Sequence, residues 1–366
     1  MMPPLGRRAE EALLGAVLLR PQQLPGLRWI HPQTLALPGH QELWRLLHTM
    51  DPATISPLTV HQALRELSEQ RDQDRDLPSG VALHALPPHR LSALADACPD
   101  PRRGALYGGM VLDAAIHRAV DETGGQLRQL ATADVASPAE ARTVLDQTQH
   151  SRRRLERLGD SWRAVPETVR TILDTPMDRK ISLAERRTAA RQDLRAEATT
   201  IASLLSQPDQ LPHVGWLQPG DFADRRNRTT YQAMTALADR HAPIDPLTVA
   251  WQAARLPGAR HSDHELAELT RTGLPCRAEH AGTQVLTTAA LDRLDAAGHR
   301  IRQAARVPAI AAPVLLTEAE AAIAPTGRDH QRLQAIEHDH QREHHGASEQ
   351  EPAPATYDTD PEEIDL

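Results

Sequence analysis

The chain has 366 residues, a formal charge of −8 and 41 basic side chains, of which Lys180 is the only lysine. A phosphate-binding P-loop ends in Gly-Lys-Ser/Thr because its lysine reaches the phosphates. Lys180 stands in Met177-Asp178-Arg179-Lys180-Ile181, so a Walker-type ATPase site is excluded. Aromatic residues make up 2% of the chain, and the 40% apolar content is mostly Ala, Leu and Val. Strong helix formers with few strand formers predict an all-α protein.

The first helix is expected from Glu10 to about Leu19, with Leu13, Leu14, Val17 and Leu18 on one stripe. Glu10 and Glu11 then fall in its first turn, where carboxylates suit the helix dipole. Pro21 and Pro25 end it. A short segment leads through Trp29 to a helix over 40–48, with Leu43, Trp44 and Leu47 on one face. Ser56-Pro57 places a capping side chain before proline and starts a helix to about Gln70. Arg71 to Asp76 reads as a charged loop. A long helix follows from Arg103 to about Ala131 and breaks at Thr132-Ala133-Asp134. Ser137-Pro138-Ala139-Glu140 is a capping box that opens a second long helix to about Leu158, making an αα-hairpin.

Gly159 to Asp193 reads as a partly helical connector with its own capping box, Ser182 to Glu185. After it the order of elements returns. Glu197 opens a helix, and Asp245-Pro246 starts another to about Arg255. A second hairpin is expected from about Arg277 to Arg306 and from the Thr317-Glu318-Ala319-Glu320 box to His345, kinked or interrupted near Pro325. The stretch from Gly346 to Leu366 has seven acidic side chains, no basic one and three prolines, and is expected to be disordered. Without it the chain is almost neutral.

The returning order is an internal repeat. At an offset of 187, Ala9-Glu10, Pro21, Gln23, Leu24, Pro25, Trp29 and Pro32 meet Ala196-Glu197, Pro208, Gln210, Leu211, Pro212, Trp216 and Pro219. Trp44 meets Tyr231. At an offset of 189, Ile55-Ser56-Pro57-Leu58-Thr59-Val60 meets Ile244-Asp245-Pro246-Leu247-Thr248-Val249. The expected organisation is two similar helical domains at 8–158 and 195–345. Each is a small globular helix bundle followed by a long αα-hairpin; residues 159–194 connect them and 346–366 form an acidic tail.

Ala9-Glu10-Glu11-Ala12-Leu13-Leu14-Gly15-Ala16-Val17-Leu18-Leu19 resembles the opening of the N-terminal domain of DnaB-type replicative DNA helicases. The similarity continues through Asp221-Phe222, His40…Trp44, Asn227…Tyr231, the two Thr-Val helix starts and Tyr107-Gly108-Gly109-Met110-Val111. Three positions depart from the pattern. Ile201-Ala202-Ser203 replaces Leu-Gly, Thr34-Leu35 lacks the phenylalanine, and Asn227 replaces the histidine. The resemblance implies tandem N-terminal domains without the RecA-like motor. Such a domain is non-catalytic, pairs through its hairpins and contacts primase or loader proteins. The implied role is a non-enzymatic interaction module in DNA replication that binds a replicative helicase, a primase or itself.

No residue pattern assigns a catalytic, cofactor-binding or metal site. Cys98 and Cys276 have neither CxxC spacing nor an accompanying His–acid constellation. His338, His340, His344 and His345 cluster, but Gln341 stands where a zinc-protease motif needs glutamate. Trp29, Trp44, Trp216 and Tyr231 read as core anchors. Arg152, Arg153, Arg154 and Arg157, with Arg186 and Arg187 in the connector, are the candidate nucleic-acid contacts. Interleaved acids such as Glu156 and Glu185 favour an exposed structural face instead. The N-terminus lacks a signal-peptide core and no apolar run is long enough to span a bilayer, so no membrane contact and a cytoplasmic location are expected.

Overall fold

A computed structural model describes residues 4–73, 87–135, 137–174, 194–272 and 277–348. Among these the protein is all-α, thirteen α-helices joined by short 3-10 turns. The chain divides into two compact units, and each takes residues from both halves of the sequence.

Unit 1 comprises Met1–Asp134, Val144–Arg191 and Ala290–Thr326. It starts with α1 (Pro4–Leu19), α2 (Pro38–Thr49), α3 (Pro57–Gln73) and α4 (Pro88–Asp96). Proline opens each of these helices, where its missing N–H costs nothing. Leu13, Leu14, Val17, Leu43, Trp44, Leu47, Val60 and Leu91 form one buried core. α1 crosses α4 closely at Gly15, where any Cβ would strike the Leu94 carbonyl. Ser56 Oγ accepts the Thr59 N–H, and Thr59 Oγ1 accepts the Ser56 N–H, so the expected cap is in place. The long α5 (Gly104–Ala131) packs on α1. α6 (Pro138–Arg163) begins in unit 2 and runs into unit 1, and α7 (Glu167–Leu173) packs back on α5 beside Gly109.

Unit 2 comprises Val135–Thr143, Gln192–Ala289 and Gly327–Leu366. Its helices are α8 (Leu194–Ser206), α9 (Arg225–Ala238), α10 (Pro246–Ala253) and α11 (Asp263–Thr272). Asp245 caps α10, accepting the N–H groups of Leu247 and Thr248. α12 (Ala278–Ala305) and α13 (Ala312–Ser348) each run through both units. Ile201, Leu204, Phe222, Tyr231, Met234 and Val249 are buried.

Several boundaries differ from the sequence expectation. α1 begins at Pro4, so Glu10 lies inside the helix and not in its first turn. Arg71 to Gln73 continue α3. α13 starts at Ala312 with Pro313 in its first turn, so Thr317 is an internal residue that donates its hydroxyl to the Pro313 carbonyl. The helix runs on past Pro325 without interruption. Ser182 to Glu185, residues 74–86 with the remainder of the expected charged loop, and Cys276 lie outside the described residues.

Candidate functional site

The same polar device holds the helical head of each unit, α1 to α4 in unit 1 and α8 to α11 in unit 2. In unit 1 the Glu10 carboxylate is buried, accepts the Ala36 N–H and lies 2.9 Å from His40 Nδ1. In unit 2 the buried Glu197 accepts the N–H groups of Ala223 and Asp224. It also accepts from Asn227 Nδ2 at 3.0 Å. Each glutamate thus ties its own helix to the backbone leading into the second helix of the head. Asn227 stands where unit 1 has His40, and its Oδ1 in turn accepts from His261 Nε2 at 3.0 Å. Burial holds the His261 imidazole below its ordinary pKa. A buried Glu–His pair resembles a catalytic dyad, but here the carboxylates are engaged in helix entry.

Burial also pushes the Glu197 carboxyl above its ordinary 4.5, against the opposing effect of its three donors. A carboxyl raised in the folded state contributes most stability below pH 4.5 and loses it as pH rises through the raised value. Glu197→Gln removes the buried charge but turns an amide nitrogen toward another donor, and is expected to cost about 1–2 kcal/mol at neutral pH. It should also flatten the decline of stability above pH 4.5. Urea midpoints of both proteins from pH 4.5 to 7.5 check this; an unchanged slope would contradict it.

Tryptophans lock the heads onto the long helices. Trp44 Nε1 donates to the Ile30 carbonyl, and the Tyr231 hydroxyl lies 3.2 Å from the carbonyls of Val214 and Leu217. A Cβ on Gly108 would lie 3.1 Å from Trp29, and one on Gly282 would lie 3.2 Å from Trp216. Gln23 donates to the Pro101 carbonyl, while Gln210 accepts the Ala278 N–H. These aromatic and amide groups act as internal anchors.

Within unit 1 the long helices meet in a reciprocal pattern. α5 crosses the second half of α12 at Gly124 and Gly298. A Cβ on either glycine would sit 2.7 Å from the other's carbonyl oxygen. Arg128 pairs with Asp295 at 3.3 Å, and Arg302 pairs with Asp121 at 3.2 Å. Asp121, Gly124 and Arg128 are matched 174 positions later by Asp295, Gly298 and Arg302, so these two ion pairs mirror each other about the glycine contact. The pairings also run in opposite directions along the chain, so the helices are antiparallel. Contact of i with j matched by j with i is the signature of a two-fold interface. Val120, Thr123, Leu127 and Ala131 on one helix and Leu294, Ala297, Ile301 and Ala305 on the other are buried at matching positions.

Unit 1 also fixes the turn between α12 and α13. His117 offers Nδ1 to the Ala305 carbonyl at 2.9 Å and Nε2 to the Ile310 carbonyl at 3.0 Å. Asp113, one turn earlier on α5, accepts the first N–H of α13.

The arginine cluster on α6 is divided. Arg152 pairs with Glu156 at 3.1 Å and Arg154 with Glu122 at 2.7 Å. Arg153 and Arg157 are exposed, and Arg157 Nε reaches the Arg153 carbonyl. Arg186 and Arg187 lie outside the described residues, as do the side chains of His340, His344 and His345. Cys98 is a half-buried free thiol whose pKa burial raises, a poor nucleophile. Among the described residues no helix is long and apolar enough to cross a membrane.

α8 to α11, with Glu197 of α8 holding the backbone that enters α9 and Asp245 capping α10, are the part of the chain that a known family accounts for. Residues 189–274 match the DnaB-like helicase N terminal domain. The match covers the four helices of that head and stops before α12. No curated protein and no solved structure matches the chain. The buried Glu197, Phe222 and Tyr231 all lie within the matched residues. The exposure of Trp251 on α10 was missed in sequence; its signal was a tryptophan where the first half has Gln62.

Proposed function

We propose that the chain is a tandem of two DnaB-N-like domains, at 8–158 and 195–345, acting as a non-enzymatic interaction module in DNA replication. The family match at 189–274 carries this reading. The paired roles of Glu10 and Glu197, Trp29 and Trp216, and Gly124 and Gly298 support the same origin for the first half. In this reading the hairpins, which need a partner, find it within one chain. The heads are then left to engage a replicative helicase or a primase, with self-association the weaker outcome. The cytoplasm is the compartment this role implies, and the missing P-loop leaves no seat for ATP hydrolysis. Affinity capture of purified replicative helicase and primase from the same cell by the tagged full chain tests the proposal. Retention of either supports it, and retention of neither sinks it.

The exposed Arg153 and Arg157 favour a second reading, an accessory factor that grips nucleic acid. It requires affinity that falls steeply with salt and drops when both arginines become alanine.

A further inference from the structure

One apolar patch on unit 2 is left uncovered by the head's own packing. On α10, Leu247 and Trp251 stand one turn apart, 64% and 67% exposed. The Arg255 guanidinium lies over the Trp251 ring, 5.7 Å from its centroid. Arg260 is exposed a few residues on, and between Asp245 and Asp263 the chain has no acidic side chain. The corresponding face of α3 in unit 1 is exposed too, but it carries Leu58, Gln62 and Glu66. Only the α10 face is aromatic and basic.

Such a face fits a ligand that is acidic and carries apolar side chains. The chain holds one. Residues 349–366 have Glu349, Glu351, Asp358, Asp360, Glu362, Glu363 and Asp365, no basic side chain, and Tyr357, Ile364 and Leu366 among them. The segment follows α13, whose final stretch belongs to the same unit as Trp251. Fully extended, its eighteen residues span up to about 60 Å, roughly twice the diameter of a small domain. We propose that segment 349–366 docks on the Leu247–Trp251–Arg255 face of α10. Its carboxylates would meet Arg255 and Arg260, and its apolar side chains would cover Leu247 and Trp251. The α10 face would then be masked until a competing acidic ligand displaces the segment. A single-stranded nucleic acid is also acidic and can stack on tryptophan, but an aliphatic neighbour such as Leu247 favours a peptide.

Photo-crosslinking in the full chain tests this. With p-benzoylphenylalanine in place of Trp251, cross-links are expected to map to 349–366. They should fall at least tenfold when Glu362→Lys, Glu363→Lys and Asp365→Lys are combined. A second probe placed at Ile364 instead should cross-link back into 246–260. Cross-links from 251 that miss 349–366, or that appear only on an added single-stranded oligonucleotide, would overturn the proposal. So would a yield unchanged by the three charge reversals.

Discussion

Arg332→Ala is expected to lower stability by about 3–5 kcal/mol, the cost of stripping the cation from a buried ion pair. Arg332 on α13 is only 14% exposed along its side chain, and its Nε donates to the Trp216 carbonyl at 3.0 Å. The same guanidinium pairs with Asp221, which is almost fully buried, and with Asp329 at 3.1 Å. Alanine leaves both carboxylates inside unit 2 without that charge and frees the backbone that positions Trp216. Arg332→Leu combined with Asp221→Asn should recover part of the loss, because it removes one of the two carboxylates left without that charge. Urea midpoints of the three proteins decide it. A single-variant loss below about 1 kcal/mol would show that the pair contributes little.

The glycines of α5 give the second large effect, with opposite signs at adjacent positions. A Cβ on Gly124 would sit 2.7 Å from the Gly298 carbonyl oxygen and strike the Arg302 stem, so the helices must separate. Gly124→Ala should therefore cost about 2–3 kcal/mol through overpacking, despite the gain in helix propensity. Gly125 has nothing within 4 Å of its would-be Cβ. Gly125→Ala should then stabilise by about 0.5–1 kcal/mol, the ordinary benefit of alanine in a helix. Gly298→Ala should match Gly124→Ala, and the double variant should cost less than their sum, since one separation accommodates both methyls. Equal effects at 124 and 125 would contradict the close crossing.

Much of this architecture is legible in the sequence. Proline and capping residues mark the helix starts at 57, 138 and 246 because a missing N–H is harmless in a first turn. The apolar stripe of α1 and the two long hairpin helices follow from spacing alone. The same rule explains the errors. Pro4 and Pro313 open helices as readily as the capping boxes do, so α1 and α13 start earlier than expected, and Glu10 and Thr317 become internal. The work of Glu10 and Glu197 was hidden because their partners are backbone N–H groups 26 residues away. The Gly124–Gly298 crossing was hidden because neither residue is unusual until the two helices meet. Asp221 was visible as part of a motif, but its cation, Arg332, lies 111 residues later in the chain.

Sedimentation velocity of the labelled full chain, alone and mixed in turn with replicative helicase and primase, tests the central claim most directly. If the hairpins are paired within one chain and the heads engage a replication protein, the chain alone should sediment as a 40.3 kDa monomer. The label should then move into a heavier boundary with at least one of the two proteins. A boundary unmoved by either would contradict the account.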